Sequence, residues 1–246
     1  MKNRLAVVVF LSLFSVMSWA SSGAGVALEH MEPNVSDKES LQKGAKTYLN
    51  YCFGCHSTKY ARYERIADDL EIPHELFMEN LVFSDAKIGE LMSIAMPEKG
   101  AKKWFGATPP DLTLVTRLRG VDWLYSYLKG FYADESRPWG VNNKIFPDVG
   151  MPHVLYELQG IQVQDCGDSH DAEEHDCTDL KLVEGSGSLS AEEYDQVAFD
   201  LVNFLHYMGD PSREYREALG IKVLIFIFIF FIFAWFLNKE FWKDIH

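Results

Sequence analysis

Two thiols and an imidazole within five residues, Cys52-Phe53-Gly54-Cys55-His56, constrain this chain more than any other stretch. Cys-x-x-Cys-His is the attachment signature of a c-type haem. Thiols two residues apart add to the two vinyl groups of one porphyrin. The adjacent His56 then falls under the iron as proximal ligand, through a neutral imidazole nitrogen. A thioredoxin-like dithiol has no need of that histidine, and no βαβ pattern surrounds the motif.

The two ends of the chain point to a membrane address. Lys2 and Arg4 precede an apolar run from Leu5 to Val16, and Ser18-Trp19-Ala20 is a small-x-small cleavage site. Residues 1–20 therefore read as a secretory signal peptide, with export to an oxidising compartment. Near the other end, Val223 to Leu237 carries no charge. At about 1.5 Å per residue, with Lys222 snorkelling and Phe241 and Trp242 at the far interface, residues 219–238 cross a ~30 Å core. Basic residues flank both sides of that span, so charge does not orient it; the signal peptide does. The head, residues 21–218, is expected outside the cytoplasm, on the periplasmic face of a bacterial inner membrane, with residues 239–246 as a cytoplasmic tail. A net charge of -13 argues against nucleic acid as a partner.

Hydrophobic spacing makes the head mainly α. Ser36 to Glu39 reads as a capping box, followed by Leu41, Ala45, Tyr48, Leu49 and Cys52 on one helical stripe. Short helices are expected at Ala61–Leu70, Glu75–Phe83, Asp85–Met92 and Asp122–Phe131, and Gly106 to Thr113 as a rigid turn entering another. A short hairpin is expected near Val154–Val163. Ser190-Ala-Glu-Glu193 is a second capping box. It opens a helix through Tyr194, Val197, Leu201 and Leu205 that Gly209 ends and Pro211 keeps from resuming. The two long helices are expected to pack together.

A haem with one histidine has a second axial position to fill. Met151 sits in Gly150-Met151-Pro152, where glycine allows close backbone approach and proline stiffens the loop. A thioether there favours reduced iron and raises the potential. Met96, His74 and His153 are the rivals.

Several blocks together resemble cytochrome c1, the haem subunit of quinol–cytochrome c oxidoreductase. They are the Cys52–His56 motif, Gly106-Ala-Thr-Pro109-Pro110-Asp111-Leu112-Thr113, the Gly150-Met151 loop, and Gln196 through Asp210-Pro211 followed by a single span. The proline after Met151 comes one residue earlier than in the family pattern. The resemblance implies a cytochrome c-like fold with one covalent haem c on Cys52 and Cys55, and with His56 and Met151 as iron ligands. It also implies Arg119 near a haem propionate. Pro109 and Pro110 would wall the His56 side, where a backbone carbonyl can orient the imidazole. Trp123 would pack on the haem where the family usually has tyrosine. The implied partners are a cytochrome b subunit, a Rieske iron–sulfur subunit as electron donor, and a soluble c-type cytochrome as acceptor. Quinol chemistry belongs to another subunit, so the chain is a redox component rather than an enzyme on its own. Two other classes remain open, a tethered cytochrome serving a terminal oxidase and a haem sensor with a displaceable ligand.

Residues 165–188 form a polar insertion. Seven acidic residues and no Lys or Arg lie from Asp165 to Asp179, with Cys166 and Cys177 at the two ends. A disulfide between them is the leading reading, and closing such a loop is worth about 2–3 kcal/mol. A metal site using His170 and His175 competes, at a spacing foreign to common zinc sites. The acidity serves either solvation or the steering of a basic partner.

Overall fold

A computed structural model describes residues 26–165 and 179–243. The expected leader and the Cys166–Cys177 pair lie outside these residues. Two helices make the frame. Helix α1 spans Lys38–Thr47, capped by Asp37, whose carboxylate accepts from the Ser40 N–H at 3.1 Å. The cap thus sits one residue later than Ser36. Aspartate caps as well as serine does, and its charge also faces the positive end of the helix dipole. The Ser36 hydroxyl instead donates to Glu214, and Glu39 pairs with Lys43 at 2.7 Å.

A π-helical turn, Tyr48–Cys52, continues α1 and is closed by the Phe53 N–H donating to the Tyr48 carbonyl at 2.9 Å. Such turns are rare and gather at functional sites. Here the wide turn delivers Cys52 to the core, where it is buried, and Cys55 to the surface side.

The second frame helix is Ala191–Gly209, opened by the expected capping box. The Ser190 N–H donates to Glu193 Oε2 at 2.8 Å, and the Glu193 N–H donates to Ser190 Oγ at 3.2 Å. The two frame helices cross at Gly44, where an added Cβ would stand 2.0 Å from the Asp200 carbonyl oxygen. Only hydrogen fits there. Around the crossing Leu41, Ala45, Tyr48, Leu201, Phe204 and Leu205 are almost wholly buried, each apolar side chain worth about 2 kcal/mol. A polar seam runs beside them. The Ser40 hydroxyl donates to Asp200 at 2.7 Å, and the Asn203 amide donates to Ser40 Oγ at 3.0 Å and to the Asn34 carbonyl at 2.8 Å.

The intervening chain is a series of short elements. Strand β1 (Thr58–Arg62) pairs antiparallel with β2 (Leu91–Met92), and between them lie α2 (Tyr63–Asp69) and α3 (His74–Leu81). Then come α4 (Glu98–Phe105), α5 (Val115–Arg119), α6 (Val121–Lys129), and the antiparallel pair β3 (Phe131–Ala133) and β4 (Val141–Asn143). Helix α7 is one turn, Tyr156–Gln159; β5 (Gln162–Asp165) pairs with β6 (Asp179–Leu182), and the frame helix Ala191–Gly209 is α8. The class is mainly α.

Three sequence expectations change. The helix expected from Ala61 starts at Tyr63, because Thr58–Arg62 is drawn into a strand. Asp85–Met92 is not helical: the Ile88 and Glu90 carbonyls accept from the N–H groups of Glu64 (2.7 Å) and Tyr63 (3.3 Å), a tertiary use that a helix forbids. The hairpin expected within Val154–Val163 begins later, and its second strand lies beyond the acidic insertion. Gly160, at φ 89°, ends the α7 turn and releases the chain into β5.

Helix α9, Arg213–Phe241, contains the expected 219–238 span, has no buried residue, and is long and apolar enough to cross a membrane. Its 29 residues extend about 43 Å. Only three residues separate it from α8, and the first of them is clamped. Asp210 accepts two bonds from Arg216 (2.9 and 2.6 Å) and one from Arg117 of α5 (2.8 Å). The Arg216 guanidinium holds the Asp210 carboxyl below the usual carboxylate range.

Candidate haem site

The thiols come first in the chain. Burial pushes the Cys52 thiol up to about 12 and raises Cys55 as well. Thiols held protonated make a poor redox pair, which needs a thiolate.

His56 is placed by backbone. Its N–H donates to the Cys52 carbonyl at 2.9 Å, and its own carbonyl accepts from the Tyr48 hydroxyl at 2.7 Å. Its ring Nδ1 lies 2.7 Å from the Pro110 carbonyl, which can only accept. Nδ1 therefore carries the proton and Nε2 the lone pair. Burial lowers the His56 pKa, against the opposing pull of the Pro110 hydrogen bond. A neutral imidazole whose Nε2 keeps its lone pair is what an iron ligand requires.

The Pro109-Pro110 segment is braced in turn. The Leu112 N–H donates to the Ser57 carbonyl at 2.9 Å, and Asp111 accepts from the Lys59 N–H at 2.8 Å and the Thr113 N–H at 3.0 Å. Cys55, Pro109 and Met96 line a cavity of about 220 Å³.

Met151 belongs to a different construction. Its sulfur lies 3.4 Å from the Tyr127 hydroxyl of α6. Tyr127 stacks on Trp123, with ring centroids 5.0 Å apart and planes at 9°. The Arg119 guanidinium lies 4.9 Å above the Trp123 ring and 5.8 Å from that of Phe146. Arg119, Trp123, Tyr127 and Met151 thus form one continuous wall.

The loop before Met151 hangs on two asparagines of β4. Asn143 Oδ1 accepts from the N–H groups of Ile145 (2.9 Å) and Phe146 (3.1 Å), while its amide donates to the Tyr127 carbonyl at 2.8 Å. Asn142 Oδ1 accepts from the Asp148 N–H at 2.9 Å. Gly150 lies close to α4, where an added Cβ would come 3.3 Å from the Phe105 carbonyl oxygen.

The rival ligands stand elsewhere. Met96 lines the cavity with Cys55 and Pro109. His74 pairs with Asp68 at 2.7 Å on the surface. His153 stacks flat on Phe131, 4.7 Å between centroids and 3° between planes, and burial drives its pKa down to about 4. Sequence reasoning missed Gly44, Tyr127, Asn142 and Asn143. A glycine inside the first amphipathic helix was a signal in principle; the asparagines gave none.

The residues fit a c-type haem: two free thiols at the right spacing, a neutral histidine with a fixed tautomer, and a partly buried thioether. Fold and site define the class, a helical head carrying a haem-attachment motif on one apolar helix.

Comparison with known proteins narrows that class. Residues 186–245 match the model of the cytochrome C1 family. The cytochrome c1 of Allochromatium vinosum is 49% identical over 245 residues, covering 99% of this chain and all of that protein. A protein named ammonia monooxygenase gamma subunit, from Nitrosomonas europaea, is 43% identical over 227 residues, 92% of each chain. The cytochrome c1 of Rhodospirillum rubrum is 25% identical over 230 residues, 85% of this chain and 83% of that one. A solved chain of a hyperthermophilic respiratory Complex III aligns over 100% of this chain and 98% of its own, at 14% identity and TM-score 0.46. The chain belongs to the cytochrome c1 family. It is an electron-transport protein with a c-type haem, a membrane-anchored subunit of a respiratory complex.

Proposed function

We propose that this chain carries single electrons from a Rieske iron–sulfur protein to a soluble c-type cytochrome, beside a cytochrome b subunit in a quinol–cytochrome c reductase. The reading rests on family membership and on one observation above all, the His56 Nδ1 bond to the Pro110 carbonyl. One haem, bound by thioethers to Cys52 and Cys55, supplies an iron that alternates between the ferrous and ferric states.

The chain's own residues do the rest. His56 would hold the iron through Nε2, its ring orientation set through Nδ1. Met151 would hold it through Sδ, carried by the asparagine-braced loop, while His74 pairs with Asp68 and His153 stacks on Phe131. Arg119 serves a propionate, lowering the cost of burying that carboxylate. Trp123 and the Pro109-Pro110 pair exclude water, which keeps the reorganisation around the iron small. Residues 1–20 act as an export signal, α9 crosses the bacterial inner membrane, and the head stands on the periplasmic side. Cys166 and Cys177 form a disulfide across the acidic insertion.

Purification in mild detergent tests the reading. The expected outcome is co-purification with a cytochrome b and a Rieske protein, and a haem that stays with the chain through acidic solvent extraction. A pigment lost to that extraction, or a terminal oxidase as companion, overturns it.

A further inference from the structure

Tyr127 has no part in the function above, yet its hydroxyl lies 3.4 Å from the Met151 sulfur. We propose that its hydroxyl donates to the Met151 thioether and thereby sets the potential of the haem, as a positioning and tuning residue for electron transfer. The inference rests on Met151 as the axial ligand.

The geometry points one way. Tyr127 Oη and Met151 Sδ are 3.4 Å apart, inside hydrogen-bonding range for sulfur, and the thioether has no proton to give. The phenol is fixed from three sides. Trp123 stacks on one face, Phe131 meets the ring edge-on at 5.2 Å, and the Tyr127 carbonyl is held by the Asn143 amide at 2.8 Å. Asn143 Oδ1 also holds the loop at Ile145 and Phe146. Donor and acceptor are therefore tied to one side-chain amide, so their separation does not depend on the loop alone. Tyr127 is 8% exposed, and water does not compete freely for its hydroxyl.

A thioether sulfur has two lone pairs, so one can meet iron while the other accepts a proton donor. A hydrogen bond at the ligand is one of the protein's levers on an iron centre. Withdrawing density from sulfur weakens it as a donor. Ferric iron, the stronger Lewis acid, loses more than ferrous iron does. The bond therefore favours the reduced state and makes the ligand easier to displace.

Removing the hydroxyl reverses both effects. Tyr127→Phe keeps the ring and its stacking, and is expected to raise the ferric-over-ferrous preference of the thioether threefold to tenfold. At about 59 mV per tenfold for one electron, the midpoint potential falls by about 30–60 mV. Carbon monoxide displaces Met151 from the reduced protein more slowly. Tyr125→Phe is the control, since its hydroxyl donates to Asp195 on the far side of the same helix; its potential should not move.

The experiment uses the full chain in its detergent-purified complex and reads potential, carbon monoxide binding, and the near-infrared thioether-to-ferric charge-transfer band. Loss of that band in Met151→Ala is required first; if it survives, the ligand assignment fails, and this inference with it. If Met151→Ala abolishes the band while Tyr127→Phe leaves band and potential where they were, this inference alone falls. Should Tyr127→Phe not assemble, infrared difference spectra of the unmutated protein decide. A tyrosine C–OH mode that shifts with redox state and with deuterated solvent supports the bond, and its absence overturns it.

Discussion

The two halves of the candidate haem site, around His56 and around Met151, are built on opposite principles. On the His56 side the backbone does most of the holding: a π-helical turn, a proline carbonyl on the ring, and the Leu112 N–H on the Ser57 carbonyl, with the Asp111 side chain as an added brace. On the Met151 side the holding is done by side chains, two asparagines and a stacked tyrosine, acting on a loop. Backbone bonds inside regular structure survive most substitutions, whereas a loop hung on amides is lost when one amide is lost. The difference predicts a histidine that persists and a methionine whose grip can be adjusted.

The frame under both faces is the most sensitive point. Gly44→Val pushes α1 off α8, carrying Cys52 with it. Thermal unfolding should show a loss of about 3 kcal/mol or more, with poor haem incorporation. An unchanged melting temperature would mean that the close crossing is absent.

Next comes the test of the comparison itself. Asn143→Ala leaves the Ile145 and Phe146 N–H groups without their acceptor and takes one of two bonds from the Tyr127 carbonyl, which keeps the Gly130 N–H; it should cost about 2–3 kcal/mol. Its signature is selective: faster carbon monoxide binding to reduced protein, with His56 ligation intact. Asp111→Ala, the matching lesion on the other face, should cost about 1–2 kcal/mol and leave carbon monoxide binding unchanged. Equal carbon monoxide responses from both variants would erase the distinction.

The smallest effect is one of pH. Hydrogen bonds from Ser136 and Asn142 hold the Asp134 carboxyl below its usual range. A carboxyl with a depressed folded-state pKa contributes stability that is complete above the ordinary value of about 4 and is lost as pH falls through the folded value. Since Asn142 also supports Asp148, the methionine band should weaken in acid below about pH 4 before histidine ligation changes. Asp134→Asn should remove that acid step.

How much was legible in the chain follows from sequence distance. Cys52, Cys55 and His56 are read because attachment needs them within five residues. The Ser190–Glu193 cap and the stripe behind it are read because helix periodicity is local. The failures are tertiary. Glu64 and Tyr63 take the carbonyls of Ile88 and Glu90, so Asp85–Met92 cannot coil despite its composition. Gly44 matters only because Asp200 lies across from it, 156 positions later in the chain. Asn143 reaches Tyr127 across a chain reversal, and no spacing rule marks an asparagine for that task. At Trp123 the resemblance implied a residue unusual for the family; one helical turn on, the structure supplies a phenol at Tyr127 against the same wall.

The clamp on Asp210 has a mechanical consequence. Arginines from the head and from the anchor grip one carboxylate, and Arg65 adds a bond to the Pro211 carbonyl. The joint is tied at three points rather than left as a free linker. A tilt of the long apolar helix is therefore passed in part to the head above it, so that the seating of the one bears on the heading of the other.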